Sequence, residues 1–200
     1  MKEVIFKEDV IREAQKLFQT FGLKKTTMED IAKAMGKGKS TLYYYYQSKE
    51  QIFEDVLQSE LQEVFNVTKS AVEKAPTAEE KLKSFAVTKI TVLTKMVNLY
   101  KLVCGEMMWQ PSCSKELFSE YTQQEIQLIA SILEFGIQSG EFKPQLSNEM
   151  DILPSLIVSS IRGIERDYFN NKLSGLENRI NVISGIMTDG LKNNHQSSFK

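Results

Sequence analysis

The sequence has few of the residue types from which most catalytic and metal sites are built. It contains two cysteines and a single histidine, His195, which lies in the polar C-terminal stretch NNHQSSFK. This scarcity argues against His-dependent triads, Cys–His pairs and Cys/His metal sites. Neither a P-loop nor a GxGxxG motif is present. We therefore predict a protein that is not an enzyme and that has no catalytic residue, metal or cofactor.

Long hydrophobic runs are absent as well. The longest stretch without a charge is Ile152–Ile161, whose ten residues are too few to cross a bilayer. The N-terminal MKEVIFKEDV is charged throughout and lacks the apolar segment of a signal peptide. Without a secretory signal, the two cysteines are expected to be reduced. These features predict a cytoplasmic protein that does not contact membranes.

The formal net charge of −1 conceals an uneven distribution. Residues 1–50 carry ten Lys/Arg against seven Asp/Glu, and residues 22–49 hold six lysines against only Glu29 and Asp30. A small basic segment attached to a mildly acidic body is typical of a polyanion-binding module joined to a second function. Ordinary solvated surfaces show similar charge runs, so charge alone does not identify a polyanion-binding module.

Apolar residues recur at helical spacing almost throughout, and no segment alternates with a period of two. Three short helices are followed by a long one, from Ser48 to about Lys74. Thr26 or Thr27 is expected to cap the second helix, with Glu29 as a capping-box partner. We predict an all-α chain with a helix-turn-helix domain over residues 1–50, a larger helical domain over 51–192 and a disordered tail over 193–200.

The stretch KGKSTLYYYYQSKEQIF contains four tyrosines in a row, Tyr43–Tyr46. On a helical wheel with about 100° per residue, the last two rings share the face of Leu42, whereas the first two point away from it, beside Ser40. The run is therefore predicted to split into two core rings and two surface rings.

A surface of this composition suits DNA. Tyrosine and serine hydroxyls donate to phosphate oxygens, lysines such as Lys37 and Lys39 neutralise phosphate charge, and rings contact thymine methyl groups. A short turn containing glycine precedes the tyrosine helix, as in a helix-turn-helix. From these residues alone, an aromatic surface that binds another protein remains an alternative.

The segment FGLKKTTMEDIAKAMGKGKSTLYYYYQSKEQIF resembles the DNA-binding domain of TetR-type transcriptional regulators. The similarity rests on the Phe-Gly end of the first helix, the Thr-Thr start and Ile-Ala centre of the second, Gly36 before the turn, and Leu-Tyr-Tyr-Tyr-x-x-Ser-Lys-Glu after it. It implies a sequence-specific DNA-binding regulator. The implied mechanism is that of a homodimeric repressor, released from a palindromic operator by a small, largely apolar effector.

The resemblance also implies roles for individual residues. Thr27 would hold a phosphate at the start of the second helix, and Lys49 would reach a neighbouring phosphate from the start of the fourth. The recognition helix and the turn before it would supply the other DNA contacts, namely Lys37, Lys39, Ser40, Thr41, Tyr43 and Tyr44. No Arg, Asn or Gln lies on the outward arc of this helix, so groove shape and thymine contacts are expected to supply much of the specificity.

The rest of the chain is expected to dimerise and to bind the effector. The last two helices, within LIVSSIRGIERDYF and RINVISGIMTDGL, mix branched aliphatic residues with Ser and Gly, which would allow a closely packed dimeric four-helix bundle. An apolar, adaptable pocket is predicted near CGEMMWQPSC. Its candidate residues, which would serve equally as core, are Tyr100, Cys104, Met107, Met108, Trp109, Phe118 and Tyr121.

Two other interpretations remain open. The chain could be a helical enzyme or carrier whose basic N-terminus docks on a protein or membrane, or a non-specific DNA-binding protein. The first would lack the steep salt dependence of DNA binding, and the second would not prefer an operator to random duplex.

Overall fold

A computed structural model describes residues 2–95, 115–169 and 175–193. Within these ranges the chain forms eight α-helices and one 3-10 helix and contains no β-strand. The only β pairing there is an isolated antiparallel bridge between Phe142 and Lys192. The predicted all-α class is therefore confirmed. None of the described helices has an apolar stretch that would span a membrane.

The helices follow the chain with short connections. The α-helices are α1 (Lys2–Phe21), α2 (Met28–Ala34), α3 (Lys39–Tyr45), α4 (Lys49–Lys74), α5 (Ala78–Lys95), α6 (Lys115–Gln138), α7 (Leu153–Phe169) and α8 (Leu176–Asp189), with the 3-10 helix at Pro144–Glu149.

Local sequence signals account for the helix ends. α1 stops where Gly22 adopts a φ of 81° and its N–H donates to the Phe18 carbonyl at 2.9 Å. α4 ends at Lys74, as predicted. Thr77 then caps α5, because its hydroxyl oxygen accepts a hydrogen bond from the Glu80 N–H at 3.2 Å.

The cap of α2 corrects one detail of the prediction. Thr27 is the N-cap, and its capping-box partner is Asp30 rather than Glu29. The Thr27 side chain accepts from the Asp30 N–H at 3.2 Å, and the Asp30 carboxylate accepts from the Thr27 N–H at 2.9 Å. With Thr27 as the cap, the third helical position falls on Asp30. Thr26 is buried instead, and its hydroxyl donates to the Gly22 carbonyl at 2.8 Å.

The described residues form two compact units that divide within α4. The first takes residues 2–63 and 115–117, and the second takes 64–95, 118–169 and 175–193. The domain limits of 1–50 and 51–192 stay predictions. Asn193, the first residue of the predicted tail, donates its N–H to the Glu141 carbonyl at 2.8 Å, and residues 194–200 lie outside the described ranges.

The core of the first unit fixes the helix-turn-helix. Each of the four helices contributes one fully buried side chain to this core, namely Phe18, Ile31, Leu42 and Ile52. The rings of Phe18 and Phe53 meet edge to face with their centroids 5.3 Å apart. Helices α2 and α3 are thus held by apolar packing against α1 and α4.

The second unit has a separate apolar core, in which Phe85, Ile132 and Phe142 are fully buried. The ring of Phe142 packs directly against Gly136 of α6. A Cβ at Gly136 would lie 2.2 Å from that ring and 2.8 Å from the Cβ of Ala78. Glycine is therefore required here by a close approach of side chains.

Candidate nucleic-acid interface

The tyrosine run divides between surface and core. Leu42 is fully buried and Tyr46 is 4% exposed, whereas Tyr43 is 45% and Tyr44 is 82% exposed. The prediction of two outward rings is confirmed. Tyr45 is half-buried, and its ring lies 4.4 Å from that of Phe6 in α1 and 4.9 Å from that of Tyr44, centroid to centroid.

The Tyr46 hydroxyl has a specific partner in α4. It donates to the Asp55 carboxylate at 2.7 Å. Burial, followed by this hydrogen bond and the Asp55 charge, raises the pKa of Tyr46 above its ordinary value. The neutral phenol therefore persists at all physiological pH values and ties the end of α3 to α4.

The two lysines before and within α3 are both exposed, but they differ in their contacts. Lys39 Nζ lies 2.5 Å from Glu29 Oε1 of α2 and 5.7 Å from the centroid of the Tyr43 ring. The hydrogen bond to Glu29 raises the pKa of Lys39. Lys37 makes no ion pair with the described residues and follows Gly36, whose φ of 63° forms the turn. Lys37 is thus the more available cation, whereas Lys39 would have to leave Glu29 to meet a phosphate.

Ser40 and Thr41 complete the exposed first turn of α3. Their side chains lie on the surface beside Lys39, Tyr43 and Tyr44. Together these groups offer hydroxyl donors, ammonium groups and ring surface, the chemistry that contacts phosphates, sugars and thymine methyl groups.

The hydroxyl of Thr27 is engaged in its own helix cap. Besides accepting from the Asp30 N–H, it donates to the Asp30 carboxylate at 2.7 Å. The hydrogen bonds that the Thr27 hydroxyl and the Thr27 backbone N–H donate to the Asp30 carboxylate lower the pKa of Asp30. Thr27 is exposed at the start of α2, so it lies where a phosphate contact was predicted, although its hydroxyl proton would have to turn away from Asp30.

Lys49 has a different environment from the one predicted. Its ammonium donates to three backbone carbonyls of the α1–α2 connection, those of Leu23 at 2.7 Å, Thr26 at 2.9 Å and Lys24 at 3.2 Å. An ammonium has three donors, and all three are directed at these carbonyls. The geometry favours a structural role for Lys49 over the phosphate contact that the resemblance implied.

The predicted effector residues fall mostly outside the described part of the chain. Tyr100, Cys104, Met107, Met108 and Trp109 lie outside the described residues. Phe118 is half-buried and Tyr121 is buried. Burial, and then the nearby Glu125 and Glu165 carboxylates, raise the pKa of Tyr121. Among the described residues, no group of three His, Cys, Asp or Glu side chains is placed to bind a metal ion.

Sequence reasoning missed several partners in this surface. These partners are Phe6, which packs on Tyr45, Glu29, which pairs with Lys39, and Asp55, which accepts from Tyr46. The buried Thr26 fixes the connection before α2 through its bond to the Gly22 carbonyl. Only the Thr-Thr pair gave a signal, because one of two adjacent threonines must point inward when the other caps a helix.

Known proteins with similar sequences support a shared fold and role. Residues 10–56 match the family described as bacterial regulatory proteins, tetR family. An uncharacterised helix-turn-helix-type transcriptional regulator of Bacillus subtilis, YhgD, is 29% identical over 143 residues, which are 69% of this chain and 72% of that protein. The helix-turn-helix-type transcriptional repressor KstR2 of Mycolicibacterium smegmatis is 24% identical over 147 residues, 72% of this chain and 71% of that protein.

A solved structure extends the similarity to nearly the whole chain. The crystal structure of a transcriptional regulator from Cytophaga hutchinsonii superposes with a TM-score of 0.74 at 27% identity, covering 93% of this chain and 98% of that one. The second unit therefore shares the architecture of such a regulator, and not only the first.

Proposed function

We propose that the chain is a TetR-type DNA-binding transcriptional regulator, and more specifically a homodimeric repressor that leaves a palindromic operator when a small apolar effector binds its second unit. Its relatives are named as regulators of transcription, so the prediction of a DNA-binding protein that is not an enzyme is confirmed. Repression is proposed because KstR2 is named a repressor. A cytoplasmic location, where operators are found, is part of the proposal.

The exposed side of α3 is the observation that carries the operator proposal. Tyr43 and Tyr44 are large rings that the fold leaves in water, next to Ser40, Thr41 and Lys37. Rings, hydroxyl groups and cations exposed side by side have the chemistry that contacts thymine methyl groups, sugars and phosphates in a DNA groove. We assign these residues, together with Lys39 and Thr27, to operator contact.

Selection of bound duplexes from a random pool, followed by anisotropy titration, tests this assignment. A palindrome with half-sites about 34–36 Å apart is expected for a helix-turn-helix dimer. Replacing both Tyr43 and Tyr44 with alanine should weaken operator binding by about tenfold or more per dimer, without lowering the unfolding temperature. An unchanged affinity in this folded variant would contradict the assignment.

The last two helices support the homodimer. Val182 and Ile186, four residues apart on one face of α8, are 65% and 68% exposed, and Leu156 of α7 is 53% exposed. Isolated apolar side chains are common on surfaces, but aliphatic groups recurring at helical spacing form a stripe that favours burial. A second copy of the chain is the proposed occupant, because a palindrome requires two recognition helices held at fixed spacing.

Substitution of this stripe tests the dimer. Replacing Val182 and Ile186 with aspartate should convert the protein to monomers in analytical ultracentrifugation and abolish tight operator binding. Val67 of α4, 42% exposed, provides the matched control. Its replacement with aspartate should leave the dimer intact. A dimer that survives the double substitution would place the interface elsewhere.

Release by an effector is proposed from the continuity of α4. This helix begins beside α3 and continues through the division between the two units. An effector that binds one arrangement of the second unit more tightly than another would favour the α4 position that belongs to that arrangement. The ratio of its affinities for the two arrangements sets the largest shift in their equilibrium that it can cause. Equal operator affinity with and without saturating effector would refute this mechanism.

A further inference from the structure

The second unit contains a buried cluster of charges that DNA binding does not use. The side chains of Lys89 in α5, Glu125 in α6 and Glu165 in α7 are 2%, 1% and 5% exposed. Lys89 Nζ lies 2.5 Å from Glu125 Oε1 and 3.0 Å from Glu165 Oε1, and Arg162 donates to Glu125 Oε2 at 3.0 Å. Buried ion groups are often no more stabilising than apolar side chains of similar size. Stability alone therefore gives little reason for this cluster.

The two carboxylates of the cluster are not equivalent. Glu125 has a cation at each oxygen, whereas the ion-pair partner of Glu165 among the described residues is Lys89 alone. Neither contact of the Lys89 ammonium has the geometry of a hydrogen bond, and Glu165 Oε1 accepts none. Burial raises the pKa of Glu165, although the charge of Lys89 acts in the opposite direction. If Glu165 takes a proton, Lys89, Arg162 and Glu125 retain one net positive charge in a buried site. Such a charge favours an anionic partner.

An apolar cavity begins one helical turn from the cluster. It has a volume of about 280 Å³ between α5, α7 and α8, and its lining includes Leu82, Ala86 and Ile161. Ala86 and Ile161 lie three and four residues before Lys89 and Glu165. Residues at these spacings are neighbours on a helix surface. The cavity is near the lower end of the volume range of small-molecule sites.

We propose that the cavity and the cluster form one binding site for a small amphiphile with a carboxylate head group, whose tail occupies the cavity and whose head pairs with Lys89 in place of Glu165. The inference rests on the proposed function, since it names the chemical class of the effector. Charge is balanced because Glu165 takes up one proton from water as the anion enters. The rings of Phe85 and Tyr121, with centroids 5.8 and 5.7 Å from Lys89 Nζ, hold the ammonium during this exchange.

Three probes with one tail and different heads test the site in the wild-type protein. Octanoate, octan-1-ol and octylammonium are titrated into the full chain by calorimetry. Octanoate should bind at least about tenfold more tightly than the other two, because only it replaces a buried charge pair. Preference for octylammonium, equal affinities or no octanoate binding would overturn the proposal.

Variants separate the head-group contact from general packing. Lys89→Met should abolish the preference for octanoate over octan-1-ol, whereas Lys83→Met, on the exposed side of α5, should preserve it. Glu165→Gln mimics the protonated carboxyl group and should bind octanoate without the uptake of about one proton that titration in two buffers measures for the wild type. Because Glu165→Gln keeps the shape of the side chain, it decides the question even if Lys89→Met does not fold.

Operator binding is measured separately, because the carboxylate site and the release of DNA by an effector are two different proposals. If octanoate binds with the expected preference but does not release operator DNA, the site stands and the release mechanism fails. If operator binding is intact and no probe discriminates between head groups, the carboxylate site is wrong and the DNA-binding role stands.

Discussion

Replacing Lys49 with methionine distinguishes a structural lysine from a DNA contact. Methionine keeps an unbranched side chain of similar length but removes the ammonium that donates to the carbonyls of Leu23, Lys24 and Thr26. Hydrogen bonds from charged donors contribute about 1.5–3 kcal/mol each when well shielded. Lys49 is half-buried and the freed carbonyls regain water, so we expect a total loss of about 2 kcal/mol. For a chain of this size the unfolding midpoint should fall by about 4–8 °C.

The salt dependence of operator binding provides the decisive measurement. A phosphate contact contributes about 0.9 to the slope of log affinity against log salt, so losing one contact from each protomer of a dimer reduces the slope by about 1.8. Lys49→Met should weaken operator binding through a displaced α1–α2 connection and leave this slope unchanged. Anisotropy titrations between 50 and 200 mM salt would measure it.

Lys37 supplies the matched control, because it is exposed and makes no ion pair with the described residues. Lys37→Met should reduce the salt slope by about 1.8 and leave the unfolding midpoint unchanged. If Lys49→Met instead reduced the slope and unfolded at the wild-type temperature, Lys49 would be a phosphate contact and the structural argument would be refuted.

Three further predictions concern stability. Burial raises the pKa of Glu60 to about 7 from an ordinary 4.5, so the folded chain binds this proton more tightly than the unfolded chain. The stability that protonated Glu60 contributes is therefore lost as the pH rises from 4.5 to about 7. Glu60→Gln should flatten this part of the pH profile of unfolding free energy in urea titrations. Gly136→Ala should destabilise by about 1–3 kcal/mol through overpacking, whereas Gly163→Ala, with no atom within 4 Å of the added methyl group, should not. Tyr46→Phe should cost about 1 kcal/mol by removing the hydrogen bond to Asp55, and an unchanged midpoint would show that this bond contributes nothing.

The sequence was sufficient where the decisive interactions are local. Helical periodicity gave the all-α class, and the wheel separated Tyr43 and Tyr44 from the buried Tyr46, because burial depends on which face of α3 meets the core. The end of α4 and the cap of α5 also followed from adjacent residues. The capping-box partner was wrong by one position, since the sequence TTMED allows either threonine to be the cap.

Interactions between distant residues could not be predicted in the same way. The Tyr46–Asp55 bond depends on how the turn between α3 and α4 directs the two helices, and no local pattern encodes it. In the second unit, Lys89 and Glu125 interrupt apolar stripes singly, and one charged residue in a stripe gives no indication that its partner lies on another helix. The resemblance suggested a phosphate contact for Lys49 because it rests on matching residue types along the sequence. Residue types do not reveal that the folded loop places three carbonyls around this ammonium.

The start of α4 is joined to both parts of the helix-turn-helix by polar contacts as well as by apolar packing. Lys49 binds the connection before α2, and Asp55, less than two turns later, accepts from Tyr46 at the end of α3. Hydrogen bonds are short and directional, so a displacement of about 1 Å must either break them or carry both elements with α4. Breaking both would leave a buried phenol and an ammonium without partners, which costs more than moving the elements together. A shift of α4 is therefore expected to move the recognition surface as one body. In the proposed dimer, such a shift would change the spacing between the two recognition surfaces without distorting either one.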